Sequence, residues 1–173
     1  MSELFVIRRL GTDDLPDYKQ LRETVLEAHP EAFSSDASEA RLRTSESYRS
    51  RLGLDSAESG EFTLGAWDGA AMVGAIGCER DSRIKVRHIG HIVGMMVRDA
   101  HQGRGLGSLL LRECIAQARR ASGLEMLTLS VTAGNESAVR LYERAGFIRY
   151  GSLPHAICVE GRYFTKDQMM LVL

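Results

Sequence analysis

The sequence has no apolar run that approaches the length of a transmembrane helix, so no membrane span is predicted. Charge of one sign is not in excess either, since 22 Lys and Arg residues accompany 23 Asp and Glu residues. Without a basic surplus we expect no nucleic-acid partner. The first nine residues lack the basic and then apolar segments of a signal peptide, and we therefore expect a cytoplasmic protein.

Cysteine is scarce as well. Cys78, Cys114 and Cys158 lie far apart, without the paired spacing of a zinc site, and their odd number does not suit a set of disulfides. None of them has the local signature of a histidine-activated nucleophile. We therefore predict no metal site, and we discount a cysteine hydrolase.

The apolar content is sufficient for one globular domain, residues 1–173. Hydrophobic residues make up 44% of the chain and charged residues 26%, which is typical of a globular protein. Periodicity and turn residues predict an α/β fold, a mixed sheet with helices on its faces. The predicted strands cover residues 5–8, 61–67, 71–78, 91–97, 126–131, 147–153 and 169–173; the predicted helices cover residues 12–29, 45–54, 106–122 and 135–144; loops are expected over residues 31–43 and 56–60.

The most informative segment is a strand, a glycine-rich turn and a helix between residues 91 and 121. Gly103, Gly105 and Gly107 alternate with other residues in this turn, which begins at Gln102. Alternate glycines let successive main-chain N–H groups point inward. The following helix adds its unpaired first amides and the positive end of its dipole. The segment therefore predicts a phosphate or pyrophosphate site.

Two familiar nucleotide motifs do not fit this turn. A dinucleotide fingerprint requires G-x-G-x-x-G, whereas Gly107 is followed by Ser108 and Leu109. A nucleoside-triphosphate loop requires a lysine after the glycines, and none is present. Most of the predicted sheet also precedes the turn, although both nucleotide motifs usually follow an early strand. The phosphate must belong to another kind of ligand.

Two segments together resemble the GCN5-related N-acetyltransferase (GNAT) superfamily. The turn Gln102–Gly107 fits that family's acetyl-CoA loop, Q/R-x-x-G-x-G/A. The segment Asn135–Phe147 fits a second family pattern, which begins with an asparagine, carries a tyrosine in mid-helix and ends in Gly-Phe. The two motifs occur in the family's order and separation. Residue-level similarity is confined to about residues 97–147.

The resemblance implies a fold, a donor substrate and a reaction. The fold is a central mixed, largely antiparallel sheet of six or seven strands, flanked by about four helices, whose central strands splay apart. The donor is acetyl-CoA, without a metal, and the acceptor is a primary amine of a small molecule or a protein. The resemblance assigns acetyl-CoA binding to Met95, Met96, Val97, Gln102, Gly103, Arg104, Gly105, Leu106, Gly107, Ser108, Asn135 and Tyr142.

Tyr142 is the catalytic acid that the resemblance implies, because it occupies the family's mid-helix tyrosine position. It would protonate the sulfur of the departing coenzyme A. The amine would attack the thioester directly, so that no acyl-enzyme forms. A tyrosine at such a position is otherwise a half-buried packing residue, and Asn135 is otherwise a helix N-cap.

The catalytic base is less clearly marked. Residues 92–97 contain no carboxylate, although many family members have a glutamate on this strand. His91 is the nearest titratable residue, and simple alternation places its side chain on the same face as Met95 and Val97. A structural histidine at a strand start is the other interpretation. Weaker candidates are His88, Glu79 and Glu61.

The acceptor side is not specified by the sequence. In the family, the first helices and their loop form it, which corresponds here to about residues 26–54. Acidic and basic residues are mixed there, so a cationic amine is not clearly favoured. A non-catalytic acyl-CoA-binding module stays an alternative to an active enzyme. The resemblance is also compatible with a homodimer.

Overall fold

The computed structural model describes residues 5–54 and 58–173. Residues 56 and 57 of the predicted 56–60 loop lie outside this part of the chain. The described residues form a seven-stranded sheet in the order β1-β2-β3-β4-β5-β7-β6. Its strands are β1 (Val6–Arg9), β2 (Phe62–Asp68), β3 (Ala71–Arg80), β4 (Ile89–Val97), β5 (Met126–Thr132), β6 (Ile148–Val159) and β7 (Arg162–Val172).

Neighbouring strands run antiparallel, except β4 and β5, which are parallel. Strands β4 and β5 run parallel because the connection between them contains a helix, which returns the chain to the end of the sheet where β4 begins. The hairpin that the Asp-Gly pair predicted is present between β2 and β3, but its turn lies one residue later, at Gly69 and Ala70, because Asp68 pairs with Ala71. The predicted fold class, a mixed and largely antiparallel sheet with flanking helices, is confirmed.

Four α-helices within the described residues cover the two faces of the sheet. Two of them, α3 (Leu106–Arg120) and α4 (Glu136–Arg144), pack on one face, where the larger hydrophobic core lies. Helix α1 (Leu15–Ala28) packs on the other face with a 3-10 helix over Ser45–Leu52. None of the helices that the structure describes is long and apolar enough to cross a membrane.

Helix α1 forms because its apolar residues recur at helical spacing and its first turn contains a proline. Leu15, Tyr18, Leu21 and Val25 are all buried against β3 and β4. Helix α3 carries a wider apolar stripe, which includes Leu110 and Cys114. These two helices fix the central strands from opposite sides, so the ends of β4 and β5 are held in defined positions.

Three segments differ from the prediction. The expected loop over residues 31–43 contains a fourth helix, α2 (Ala37–Leu42), which begins because Asp36 Oδ1 accepts the main-chain N–H groups of Ser38 and Glu39 at 2.8 and 3.2 Å. The expected helix over residues 45–54 is a 3-10 helix. Strands β6 and β7 extend far beyond the predicted ranges and form a hairpin around Glu160 and Gly161, whose φ angles are 48° and 77°.

Two buried thiols make the fold sensitive to alkaline pH. Burial raises the pKa of Cys78 from 9.0 to about 12, and it raises the pKa of Cys114 as well. Above pH 9 the unfolded chain therefore releases protons that the folded chain retains. The free energy of unfolding must then fall as pH rises from about 9 to about 12, by up to about 1.4 kcal/mol per pH unit for each proton.

We predict that Cys78→Ala reduces this alkaline loss of stability. Alanine keeps a small apolar side chain in the core but has no proton to release. Urea unfolding at several pH values between 8 and 11 gives the free energy of unfolding of each protein, and its slope against pH is compared between the variant and the wild type. Cys158→Ala is the matched control, since Cys158 is exposed. Equal slopes for wild type and Cys78→Ala would contradict the prediction.

Candidate active site

The central feature of the sheet is a gap between β4 and β5. The two strands are paired only where Ile89–His91 face Met126–Thr128. Beyond these three pairs, β3 is the only partner of β4 and β7 the only partner of β5 among the described residues. Two strand edges thus face each other inside the sheet without a common ladder, and their main-chain polar groups are available to a ligand. The predicted splaying of the central strands is confirmed.

A β-bulge at Gly94 lies along this gap. Between the pairs Gly77–Val93 and Ala75–Met96, Ile76 of β3 faces both Gly94 and Met95 of β4. The bulge requires glycine, because Gly94 has a φ of 57°.

The bulge also reverses the side-chain alternation of β4. Ile92, Met95 and Val97 belong to the core under α3 and α4, whereas Met96 lies in the core under α1. His91, next to Ile92, is therefore on the face opposite to Met95 and Val97. Our expectation from simple alternation, that His91 shares their face, was wrong, because one extra residue shifts the pleat by one position.

The glycine turn (residues 102–108) lies between the end of β4 and helix α3. Gly103 and Gly105 have φ angles of 73° and 80°, and a Cβ on either would contact nothing within 4 Å. The first main-chain bond of the helix runs from Leu109 N to Gly105 O. The N–H groups of residues 106–108 precede that bond and have no acceptor within the helix. Open space next to unpaired amides fits an anion such as a diphosphate.

Gly107 has a different role from the other two glycines. A Cβ at this position would lie 3.3 Å from Met95 Cε and 3.5 Å from Leu141 Cδ2. Its missing side chain allows helix α3 to approach β4 and α4 closely. Leu106 is buried in the core, whereas Ser108 is exposed at the start of the helix. Arg104 is exposed, with its guanidinium 5.2 Å from the ring centre of Phe5.

Gln102 connects the glycine turn to the end of β4. Its Nε2 donates to Val97 O at 3.3 Å and to Asp99 Oδ1 at 3.0 Å. The same oxygen of Asp99 is 2.7 Å from Nε2 of His29, at the end of α1. The side chain of Gln102 therefore determines where the turn stands relative to the gap.

Tyr142 lies on α4 with its side chain in the main core, 6% exposed. Its ring packs edge-on against Phe147, with 5.9 Å between the ring centres. Burial, with a smaller contribution from the nearby thiol of Cys114, raises the pKa of Tyr142 above its usual value of 10.0. The phenol therefore keeps its proton at neutral pH and can act as a donor, but not as a base.

Asn135 caps helix α4. Its Oδ1 accepts the N–H of Ala138 at 3.2 Å and the hydroxyl of Ser137 at 3.1 Å. The bond from Ala138 satisfies one of the first main-chain amides of α4 and fixes the start of the helix that carries Tyr142. Contact between Asn135 and a ligand stays a prediction.

His91 stands at the closed end of the gap. Its Nδ1 is 2.6 Å from Thr128 Oγ1, in the last of the three pairs between β4 and β5. Glu79 is its neighbour on β3, so two of the four base candidates lie side by side on the face opposite to α3. His88 precedes β4 and Glu61 precedes β2, both away from the gap.

A segment between α1 and α2 passes over the open end of the gap. We call residues 29–35 the strap. The Nε2 of His29 contacts Asp99 after β4, whereas main-chain oxygens of the strap accept bonds from β5 and β7. Thr132 Oγ1 donates to Glu31 O at 2.8 Å, and Lys166 Nζ donates to Ala32 O at 2.7 Å. The strap therefore joins both sides of the gap and forms a wall of the site.

Two side chains near Gly94 were not predicted from the sequence. A Cβ built on Gly94 would lie 3.5 Å from Nη1 of Arg22 and 3.6 Å from Oη of Tyr18. Both residues belong to α1, and both are buried. The sequence did contain one indication of Arg22, because this charged residue lies between Tyr18 and Val25 on the apolar side of the helix.

Comparisons with known proteins agree with this geometry. The sequence model of the Acetyltransferase (GNAT) family matches residues 18–147. A mycothiol acetyltransferase of Geodermatophilus obscurus is 32% identical over 155 residues, which cover 89% of this chain and 46% of that protein. The chain thus spans about half the length of this relative.

Solved structures share the fold over almost the whole chain. A GNAT-family acetyltransferase from Streptococcus pneumoniae superposes with a TM-score of 0.87 at 29% identity, and the match covers 98% of this chain and 100% of that one. The protein yncA from Salmonella typhimurium, whose structure contains its cofactor acetyl-CoA, has a TM-score of 0.81 at 22% identity over 97% of this chain and 93% of its own. The second similarity concerns the fold alone.

Proposed function

Because this chain belongs to the Acetyltransferase (GNAT) family, we propose that it transfers an acetyl group from acetyl-CoA directly to a primary amine. The acceptor is an amine of a small molecule or of a protein. The mycothiol acetyltransferase that resembles this chain and the similar structure from Streptococcus pneumoniae are both named acetyltransferases, which supports the reaction class. The acetyl donor supplies an activated thioester, and the chain supplies binding, orientation and proton transfer.

The observation that carries this proposal is the gap between β4 and β5 with the glycine turn at its end. An extended pantetheine arm fits between two strands that have lost their mutual ladder. Main-chain groups of Met95, Met96 and Val97 would bind it, because the bulge and the broken pairing leave that edge of β4 open. The amides of residues 103–108 would bind the diphosphate, and Gln102 and Asn135 would position the surrounding main chain.

The proposed chemistry requires two proton movements. The amine nitrogen attacks the thioester carbonyl carbon, the carbon–sulfur bond breaks, and the sulfur leaves as a thiolate. Tyr142 donates its phenolic proton to that thiolate, and the raised pKa of the buried phenol keeps it protonated until then. Holding both substrates in the gap supplies much of the remaining rate enhancement.

The attacking amine must lose a proton, and we propose His91 as its acceptor. His91 lies at the closed end of the gap on the face opposite to Tyr142, so acid and base would approach the reacting atoms from different faces. The hydrogen bond with Thr128 fixes the orientation of the ring. If His91→Ala leaves kcat for an accepted amine unchanged at every pH, the base is another group or a water molecule.

We also propose that residues 1–173 act as one domain in the cytoplasm and that the chain forms a homodimer. Strand β6 is an edge of the sheet, and apolar side chains are exposed on β6 and β7. Their exposed fractions are 62% for Ile148, 56% for Tyr150 and 60% for Tyr163. A long edge with such residues favours pairing with a second copy. Light scattering that gives the mass of one chain would contradict the dimer.

We predict that Gly105→Leu weakens the binding of coenzyme A at least tenfold. The new side chain would occupy the open space next to the amides of the glycine turn, at a φ of 80° that favours glycine. Isothermal titration calorimetry with acetyl-CoA and coenzyme A measures the change.

Gly69→Leu is the matched control for this prediction. Gly69 also has a positive φ, 59°, and open space around its Cβ position, but it lies in the β2–β3 hairpin. The control therefore shares the backbone strain and keeps the affinity. Wild-type affinity in Gly105→Leu would refute the assigned diphosphate site.

We predict that Tyr142→Phe lowers kcat by about 100-fold and leaves the Kd for acetyl-CoA unchanged. Phenylalanine preserves the packing on Phe147 but has no proton to donate. The measurement is a screen of primary amines with acetyl-CoA, followed by mass spectrometry of the acetylated products.

Tyr150→Phe is the control, since Tyr150 is an exposed tyrosine on β6. Unchanged kcat in Tyr142→Phe would show that the acid role is wrong. If wild type binds acetyl-CoA but acetylates no amine in the panel, the chain is a non-catalytic acyl-CoA-binding module.

A further inference from the structure

Within the described part of the chain, the side chain of Arg22 is a buried cation without an anionic partner. It is 4% exposed, and its guanidinium is positively charged. Its Nη2 donates to Ser35 Oγ at 3.2 Å, while its Nε has no hydrogen-bond partner among the residues that the structure describes. Among residues 5–54 and 58–173, no carboxylate forms an ion pair with Arg22. An unpaired charge in this position costs stability, so a function is expected for it.

Aromatic rings hold the guanidinium of Arg22 in place. It lies 5.8 Å from the ring centre of Tyr18 and 5.3 Å from that of Tyr48. Both tyrosines are buried, and their rings pack edge-on against each other. These rings offset part of the cost of burying the charge, but they do not supply an acceptor for its N–H groups. The side chain is therefore rigid and still able to donate.

Arg22 is placed at the acceptor side of the gap. Its Nη1 and Tyr18 Oη both lie next to Gly94, the bulge residue of β4. Helices α3 and α4 cover the opposite face of the sheet, so an amine must approach from the side of α1 and the strap. A small cavity on that side is lined by Arg22, Ser35, Asp36, Glu39, Arg43 and Tyr48. Neither of its two carboxylates forms an ion pair with Arg22.

A second buried cation holds the same strap. Lys166 is 6% exposed, and its Nζ donates to Ala32 O. Burial lowers the pKa of Lys166, and no ion pair with a described carboxylate offsets this effect. The strap is thus fixed on its inner side by two basic residues, Arg22 through Ser35 and Lys166 through Ala32. Two buried basic side chains thus lie on the inner side of this wall.

We propose that the acceptor carries a carboxylate next to its amine, as a free α-amino acid does, and that Arg22 binds this carboxylate. The planar fork of a guanidinium matches both oxygens of a carboxylate, and Tyr18 Oη would supply a further donor. Binding the carboxylate at Gly94 would hold the attached amine at the gap. This inference rests on the proposed acetyltransferase function and assigns Arg22 a specificity role within it.

The test uses L-methionine and L-phenylalanine, each with its C-terminal amide, as acceptors for acetyl-CoA. The amide keeps the side chain and the amine but lacks the negative charge, and its amine loses its proton more readily than that of the free acid. A preference for the acid can therefore not come from amine reactivity. We predict that the wild-type chain favours at least one acid over its amide by tenfold or more in kcat/KM, measured by mass spectrometry of the product.

Variants of Arg22 then identify the origin of the preference. We predict that Arg22→Gln lowers kcat/KM for the acid by about 100-fold while changing that for the amide little, so that the preference disappears. Arg22→Lys keeps the positive charge but lacks the planar N–H donors of a guanidinium, so we predict that it retains part of the preference for the acid. It also serves as the test if Arg22→Gln does not fold. Arg51→Gln is the matched control, since Arg51 contacts the ring of Tyr48 but does not line the cavity.

Each outcome separates this inference from the proposed function. Equal kcat/KM values for acids and amides would overturn the carboxylate site and leave an N-acetyltransferase. If Arg22→Gln lowers kcat/KM equally for the acid and the amide, the carboxylate site is also overturned, because Arg22 would then serve only the packing of Tyr18 and Tyr48. A chain that acetylates no amine, while binding acetyl-CoA, would overturn the proposed function itself.

Discussion

The structure depends on the incomplete pairing of two parallel strands. Strands β4 and β5 share three residue pairs and then separate, because β4 carries an extra residue at Gly94 and continues along β3. A strand edge inside a sheet exposes N–H and C=O groups that must find partners elsewhere. The separation therefore leaves two open strand edges in the middle of the sheet, flanked by the β3–β4 ladder on one side and the β5–β7 ladder on the other.

The two faces of the gap have opposite chemical character. On the side of α3 and α4, the apolar core around Tyr142 keeps a phenol protonated, and the glycine turn supplies main-chain amides. On the side of α1, buried basic side chains at Arg22 and Lys166 hold the strap. A donor bound through main-chain groups and an acceptor bound through side chains would thus meet across the strands.

Local patterns explain which parts were predictable. The Asp-Gly hairpin, the glycine turn and the apolar stripe of α1 depend on neighbours in sequence, so their residues indicated them directly. Helix α2 was missed although Asp36 and Glu39 have the spacing of a capping box, since its six residues are too few for a clear period. The full length of the β6–β7 hairpin was missed because β6 contains Gly151 and Pro154, which are typical of turns, and because most of its side chains are exposed, so no alternation of buried and exposed positions marks it.

The sequence by itself determined the family, the fold class and the glycine turn, because each depends on short motifs whose residues are adjacent. Only the tertiary structure decided the face on which His91 lies, since one bulge residue reverses every later side chain of β4. It also brought Arg22, Tyr18 and Gly94 together across more than seventy positions of sequence. Contacts of that kind arise from packing a helix on a sheet, and no local pattern records them.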